Sequence, residues 1–445
     1  MLRNIFVLSI IAFGIYASLR KPFWGLLFYL WISYFRPERW IWNGQWLQDT
    51  NLSFIVGIYV VVRAPFDEEA KFRLDTRTVL MIAFLGLDLV STLTSPYLKY
   101  SQPFLEEFSK TVLVTYLLTV FLTDYPKFRM AVLIIALSLG FETAKQGWLD
   151  LFRQPGIKNL NTINFIGDEN EVAIGLLMLV PLLSALAQTA KTRSEAFLHR
   201  FLGVGVFYRA IITYSRGGFL ACGAMAVMYI ARSKHKIRSA IAAAVLAYGI
   251  SQVMTDDYWD RMSTIHFSAD ALDESDYSSR GRLHFWEVAK SMAAANPFLG
   301  VGHNAFYAAY NSYDFSKGEW GRDRAVHSVW YAVLSELGYT GILLYSLIIL
   351  TTIIGTQRTV IEAKRGKIAP ELGTFAVAIQ MGFAAFIVGA SFVSWQYDEM
   401  LWHFFGLGMA LRIAALGSQL KAPAEEPEPA PVTPGFQPVP AMRST

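Results

Sequence analysis

The amino-acid sequence predicts an all-α, polytopic membrane protein, on the evidence of its composition and the length of its apolar runs. Of the 445 residues, 54% are hydrophobic, and the mean hydropathy is +0.35. A helix needs about 20 apolar residues to cross a bilayer, and many runs approach that length. The runs are continuous instead of alternating, which argues against a membrane β-barrel.

The apolar runs predict about thirteen helical segments. In chain order they lie near residues 4–19, 22–35, 51–63, 78–95, 108–123, 128–146, 169–187, 199–214, 217–232, 237–253, 327–356, 372–394 and 399–417. Several of them are short enough to be half-spans.

Lys and Arg are concentrated in alternate loops, which predicts the orientation because basic loops favour the cytoplasmic side. The basic loops lie near residues 71–77, 127–129, 191–200, 232–238 and 358–367. A long polar segment, about 255–326, falls in the opposite set of loops. We therefore expect a multi-pass protein of the bacterial inner membrane, with this segment and the active site facing the periplasm.

This orientation divides the chain into four parts. Residues 1–253 are predicted to form N-terminal transmembrane helices, and residues 254–326 a periplasmic catalytic segment with amphipathic helices. Residues 327–417 are predicted to form C-terminal transmembrane helices. The Pro-rich, acidic residues 418–445 read as a disordered cytoplasmic tail.

The composition excludes several classes of function. The net charge of +4 is modest and its basic residues lie in loops between spans, so no nucleic-acid partner is expected. Cys222 is the only cysteine. The polar segment and its C-terminal border carry His266, His284, His303 and His327, without the close helical spacing of a zinc site. We expect no metal and no cofactor. The aspartate-rich stretch at 256–276 leaves a divalent cation as an alternative, but a solvated loop is the favoured explanation.

Two arginines in the polar segment precede a predicted amphipathic helix. Arg280 and Arg282 come directly before a helix near 283–295, whose apolar positions predict that it lies at the membrane surface. Arginines at such a surface often bind lipid headgroups only. A guanidinium group also matches phosphate oxygens bidentately, so a lipid-linked diphosphate is the alternative ligand.

Arg216 and His327 border the same predicted outer surface. Arg216 lies between two spans beside two glycines, which permit close backbone approach. His327 opens a later span, and nearby arginines would keep its imidazole neutral and able to accept a proton. His303 follows Gly302 and ranks as the second candidate base, with support of a turn as the simpler explanation.

Three further polar residues are possible supporting groups, each with a structural explanation. Asp168 and Asn170 precede an apolar run, where a helix cap is the favoured role and a place in the active-site wall is the second. Lys145 lies three residues after Glu142, and the two side chains can pair along a helix.

Taken together, the motifs resemble the O-antigen ligase and polymerase superfamily, above all its ligase branch, which includes the O-glycosylation ligases associated with exosortases. The resemblance covers roughly residues 80–415. Its motifs are Thr213-Tyr-Ser-Arg-Gly-Gly218, Ser279-Arg-Gly-Arg-Leu-His-Phe-Trp286, Asn296-Pro-Phe-Leu-Gly-Val-Gly302, His327-Ser-Val-Trp330 and Glu336-Leu-Gly-Tyr-Thr-Gly341.

The resemblance implies a GT-C-like membrane fold of about twelve spans and a metal-independent, inverting glycosyl transfer. The implied donor is a glycan on undecaprenyl diphosphate, and the implied acceptor is the lipid A core. By resemblance, Arg216 and Arg282 bind the diphosphate, His327 is the base, and Asn170 matches the asparagine of an acidic-Asn motif. Arg280 joins the diphosphate-binding candidates without a firm counterpart.

Other functions remain alternatives at this stage. A polymerase that joins lipid-linked repeat units uses similar residues, and a ligase that acts on a protein differs only in its acceptor. A lipid-oligosaccharide transporter would place functional charges in the middle of several spans. The polar residues cluster at one predicted outer surface instead, which favours an enzyme. The sugar, its linkage and the oligomeric state are left open.

Overall fold

The computed structural model describes residues 2–159, 166–265 and 277–419, which are helical with connecting loops and contain no strand. The described helices are α1 Leu2–Arg20, α2 Pro22–Phe35, α3 Gln45–Asp49, α4 Leu52–Arg63, α5 Thr76–Thr94, α6 Leu98–Phe121, α7 Tyr125–Arg153, α8 Glu169–Gln188, α9 Arg193–Ile211, α10 Arg216–Arg232, α11 Lys236–Val253, α12 Asp256–Ser263, α13 Tyr277–Ala295, α14 Phe306–Tyr313, α15 Val329–Lys364, α16 Pro370–Gly389 and α17 Glu399–Gln419. His266, residues 270–276 of the aspartate-rich stretch and the tail from residue 420 lie outside the described residues.

Each of the thirteen predicted segments coincides with a helix, which confirms the helical class. Six described helices are long and apolar enough to cross a membrane: α1, α5, α8, α15, α16 with its extension to Phe392, and α17. The pair α11 and α12 would add a seventh, but it is bent by 118°. Fewer described helices meet these criteria than the twelve spans that the resemblance implies, because several others are short or carry charged residues.

Side-chain caps place the starts of several helices. The Asp75 carboxylate accepts the backbone N–H groups of Arg77 and Thr78 at the start of α5. Asp124 caps α7 and Ser215 caps α10 in the same way. Each cap satisfies backbone donors that a helix N-terminus otherwise leaves without a partner.

The core is a bundle in which α8 packs against α9, α10 and α16, while α17 packs against α6 and α15. Its largest fully buried side chains include Phe375, Phe383, Trp402 and Phe405. Side-chain hydrogen bonds join the start of α10 to that of α8, and the segment before α15 to the segment before α17. These helix starts lie at one end of the bundle. The polar residues of interest therefore meet at that end.

Helix α13 differs from its prediction in length and in what covers its apolar face. It begins at Tyr277, so Arg280 and Arg282 lie inside it. Phe285, Val288 and Met292 are buried on this face, whereas Ala295 is exposed. This face packs against α14 and the start of α15 in a separate apolar cluster, so protein covers it.

Helix α15 is broken at Gly338, and the loop that follows α13 docks on the break. Gly338 has φ 66° and ψ −168°, far from helical values. The freed carbonyls of Ser335 and Glu336 accept the N–H groups of Val301 and Gly302 at 2.9 and 3.0 Å. In return, the N–H of Tyr339 donates to the Pro297 carbonyl at 2.8 Å. The motifs at 296–302 and 336–341 therefore bind each other.

At position 300 the contact leaves room only for glycine. Gly300 has φ 68°, and an added Cβ would lie 2.2 Å from the Glu336 carbonyl carbon. We expect Gly300→Ala to lower the apparent melting temperature in detergent, measured by intrinsic fluorescence, because a clash adds to backbone strain of about 1–3 kcal/mol.

Gly366→Ala is the matched control, since Gly366 has φ 70° with nothing within 4 Å of the added Cβ. It carries the backbone strain without the clash. Equal losses in the two variants would contradict the close docking of the loop.

Candidate active site

The backbone holds His327 at the entrance to α15 in an uncommon conformation. Its φ is 49°, in the left-handed region, which costs a residue with a Cβ some strain. The His327 N–H donates to Ser394 Oγ at 3.0 Å. Directly before it, the Val326 carbonyl accepts the indole N–H of Trp286 at 3.2 Å. Hydrogen bonds from two separate elements thus fix this half-buried histidine.

Charges from three elements act on the His327 imidazole. Burial lowers its pKa below the ordinary value, and the positive charges of Arg282 and Arg324 lower it further. The carboxylate of Asp168 acts in the opposite direction, but the net shift is downward. The imidazole is therefore held in its neutral form near pH 7, the form that accepts a proton.

Arg282 lies on α13, which is anchored against the start of α15. The rings of Trp286 and Tyr331 stack with their centroids 5.1 Å apart. Arg282 is half-buried, whereas Arg280, two residues earlier, is exposed. Of these two, the structure shows only Arg282 acting on the His327 pKa.

Arg216 is the first residue of α10, at a close junction of helices. Its guanidinium donates to Thr264 Oγ1 at 3.0 Å. A Cβ on Gly217 would lie 3.0 Å from Phe392 Cβ, and a Cβ on Gly218 would lie 2.7 Å from Ala173 Cβ. The glycines predicted to permit close approach therefore allow α10 to pack on α8 and on the segment that leads to Ser394.

Asp168, one of the two residues predicted as caps, caps α8, whereas Asn170 lies in the first turn of α8 and joins it to α10. Asp168 accepts the N–H groups of Asn170 and Glu171 at 2.7 and 3.1 Å, and Glu171 accepts the N–H of Asp168 in a capping box. Asn170 Oδ1 accepts the hydroxyl of Ser215 at 2.8 Å. The capping role does not exclude a second one, because the Asp168 charge also acts on His327.

His303 and Lys145 lie in other surroundings. His303 is buried, with Nδ1 2.7 Å from Asp88 Oδ2 and its ring centroid 3.8 Å from that of Tyr397. Lys145 pairs with Glu142 at 2.9 Å, as the spacing predicted, and lies 5.7 Å from the ring of Trp40. It lines a cavity of about 410 Å³ together with Arg3, Arg36, Arg39 and Arg209.

Two residues of this region, Ser394 and Arg324, were not predicted from the sequence. Ser394 lies in the loop before α17, where a short polar stretch between two apolar runs was the available signal. Arg324 lies in the polar segment but has no helical pattern to suggest its position. Within the described residues, no group of three His, Cys, Asp or Glu side chains could hold a metal ion.

The arrangement can bind an anion beside a neutral base. Arg282 on α13 supplies positive charge that acts on His327, and His327 supplies a proton acceptor with a lowered pKa. The fold and this site together define a helical membrane protein with a polar site at the end of its bundle.

Comparison with protein families narrows the class further. Residues 201–346 match the family model described as O-Antigen ligase, which supports assignment of the chain to the O-antigen ligase family. The match confirms the predicted resemblance and contains all five of its motifs, although it is shorter than the region 80–415. Residues 2–172 match a model described as Family of unknown function (DUF5935). No curated protein matches the chain.

The charges around His327 predict opposite pH shifts in two variants. Arg324→Gln removes a positive charge and is expected to raise the pKa of His327, whereas Asp168→Asn removes a negative charge and is expected to lower it. Asn is a good helix cap, so the second variant should keep α8 intact.

Diethyl pyrocarbonate modifies neutral imidazole, so its reaction with His327 can be followed against pH by peptide mass spectrometry. We expect the midpoint to move to higher pH in Arg324→Gln and to lower pH in Asp168→Asn. Shifts in the same direction, or none, would contradict the electrostatic description.

Proposed function

We propose that the protein transfers a glycan from undecaprenyl diphosphate to a hydroxyl of the lipid A core at the periplasmic face of the inner membrane. The family assignment supports glycan transfer in lipopolysaccharide biosynthesis. The observation that carries the finer proposal is that burial and the charge of Arg282 lower the pKa of His327.

In this mechanism Arg216 and Arg282 bind the diphosphate of the donor, and Arg280 is the outermost of the three candidates. The bond between sugar C1 and the diphosphate oxygen breaks, and negative charge develops on the leaving group. Guanidinium groups stabilise that charge through bidentate hydrogen bonds. This role needs no metal, so we propose that transfer is metal-independent.

His327 removes the proton of the acceptor hydroxyl as its oxygen attacks C1 from the face opposite the diphosphate. The new C1–O bond forms as the old one breaks, so the configuration at C1 inverts. The proton passes to the imidazole. The lowered pKa of His327 keeps the imidazole unprotonated, so that it can accept this proton. Burial of the ring also limits competition from water.

Replacement of His327 tests this assignment. His327→Ala should lower the rate of transfer by roughly 10²–10⁴-fold, the usual contribution of a general base. The assay uses purified protein, a defined undecaprenyl diphosphate glycan, lipid A core and EDTA. In cells, the same variant should accumulate polymer on the lipid carrier.

Two outcomes would contradict the proposal. Normal capping of lipopolysaccharide by His327→Ala would remove the base assignment. Accumulation of single repeat units instead of polymer would identify a polymerase.

Replacement of Arg282 by Lys tests the guanidinium. We expect Arg282→Lys to impair transfer severely, because an ammonium keeps the charge but loses the bidentate fork. Arg322→Lys is the control, since Arg322 is an exposed arginine of the same polar segment. Wild-type turnover by Arg282→Lys would limit Arg282 to anchoring α13.

A further inference from the structure

A cleft of about 840 Å³ adjoins the candidate active site at Ser394, which lines the cleft and accepts the His327 N–H. Its walls come from α2, α4 and α6, from His303 and Asn304, and from the segment 394–399 at the start of α17. The volume is within the range of ligand sites. Most of these walls belong to residues 2–172, the region that matches a family of unknown function.

The lining of the cleft changes from polar to apolar along its helices. On α4 and just before it, Asn51 and Ser53 come first, and Ile58 and Val61 follow one and two turns later. On α6 the polar residues Glu107, Lys110 and Thr111 precede Leu113 and Val114, with Phe104 and Phe108 beside them. A cleft that is polar at one end and apolar at the other matches an amphiphile with a polar head and a hydrocarbon tail.

The polar end of the cleft reaches His327 through one residue. Ser394 lines the cleft, and its hydroxyl oxygen accepts the His327 N–H at 3.0 Å. Glu171, which also lines the cleft, belongs to the capping box of Asp168. A head group in the cleft would therefore lie close to the segment that holds the proposed base.

The polar end suits a sugar better than a diphosphate. Four carboxyl groups line the cleft, against the two cationic side chains of Arg36 and Lys110. Lys110 is already paired with Glu107 at 2.6 Å. Carboxyl groups hydrogen-bond sugar hydroxyls in either protonation state, whereas ionised ones repel phosphate.

One buried group also points to a ligand. Gln396 lines the cleft and is only 2% exposed. Its Nε2 donates to Glu336 at 3.0 Å, but its Oε1 has no hydrogen-bond partner within the described residues. A buried amide oxygen without a partner is costly, and a small rotation of this side chain towards the cleft would let a ligand hydroxyl satisfy it.

We propose that this cleft binds the second substrate, a glycolipid acceptor whose uncharged sugars lie against Ser394 and Gln396 and whose hydrocarbon lies between α4 and α6. The inference rests on the proposed function, and it gives the region 2–172 a role as the acceptor site. It also favours a lipid acceptor over a soluble protein.

Two isoleucines of α4 allow a matched test. Ile58 lines the cleft and is 48% exposed, whereas Ile55 is 56% exposed and is not part of the lining. We expect Ile58→Trp to raise the KM for lipid A core at least about tenfold, a loss of about 1.4 kcal/mol of binding. Its KM for the donor should not change, and Ile55→Trp should change neither.

A binding measurement separates this inference from the proposed function. Lipid A core with a diazirine on an acyl chain is photocrosslinked to the purified protein, and the labelled peptides are identified by mass spectrometry. We expect labels on α4 and α6 that Ile58→Trp reduces and Ile55→Trp does not.

The other possible results distinguish failure of the inference from failure of the proposed function. Labelling of α4 and α6 without any transfer by the wild-type protein would overturn the proposed function and leave the lipid site intact. A rise only in the donor KM of Ile58→Trp would assign the cleft to the donor lipid. Unchanged KM values together with labels elsewhere would overturn the inference.

Discussion

The contact between the loop at 297–302 and the break in α15 at Gly338 is the constraint on which the rest of the site depends. Three backbone hydrogen bonds join the two segments. Each contributes about 1 kcal/mol, but leaving these buried groups without partners would cost more. Because α13 leads into this loop and His327 opens α15, the contact sets the position of Arg282 relative to His327.

Because of this contact, Arg282 has two roles in the mechanism that we propose. A diphosphate ligand needs positive charge nearby, and a general base must be neutral before it accepts a proton. Arg282 lowers the pKa of His327 while it offers a guanidinium group to an anion. Asp168 opposes the shift from the start of α8, so the balance depends on the relative positions of α8, α13 and the segment before α15. Burial of the imidazole keeps the balance in favour of the neutral form.

In the mechanism that we propose, the two substrates bind to different regions of the chain. The arginines lie on helices α10 and α13, within the matched ligase region. The amphipathic cleft lies mainly on α2, α4 and α6, within the other matched region. One hydrogen bond joins His327 to Ser394, which lines the cleft. In the proposal, a lipid-linked donor and a lipid acceptor therefore reach one base from different regions of the chain.

The sequence by itself determined the helical class, the positions of the helices and the local pairs, because apolar run length, caps and i, i+3 spacing are local properties. Asp168 at the start of α8 and Glu142 with Lys145 are examples. Local spacing could not place His303 against Asp88 or Ser394 against His327, since these partners are 215 and 67 residues apart. Local spacing also predicted that the apolar face of α13 lies on the membrane, whereas α14 and α15 cover this face. Only the tertiary structure decided these contacts, because the break in α15 frees backbone groups whose partners come from a distant loop.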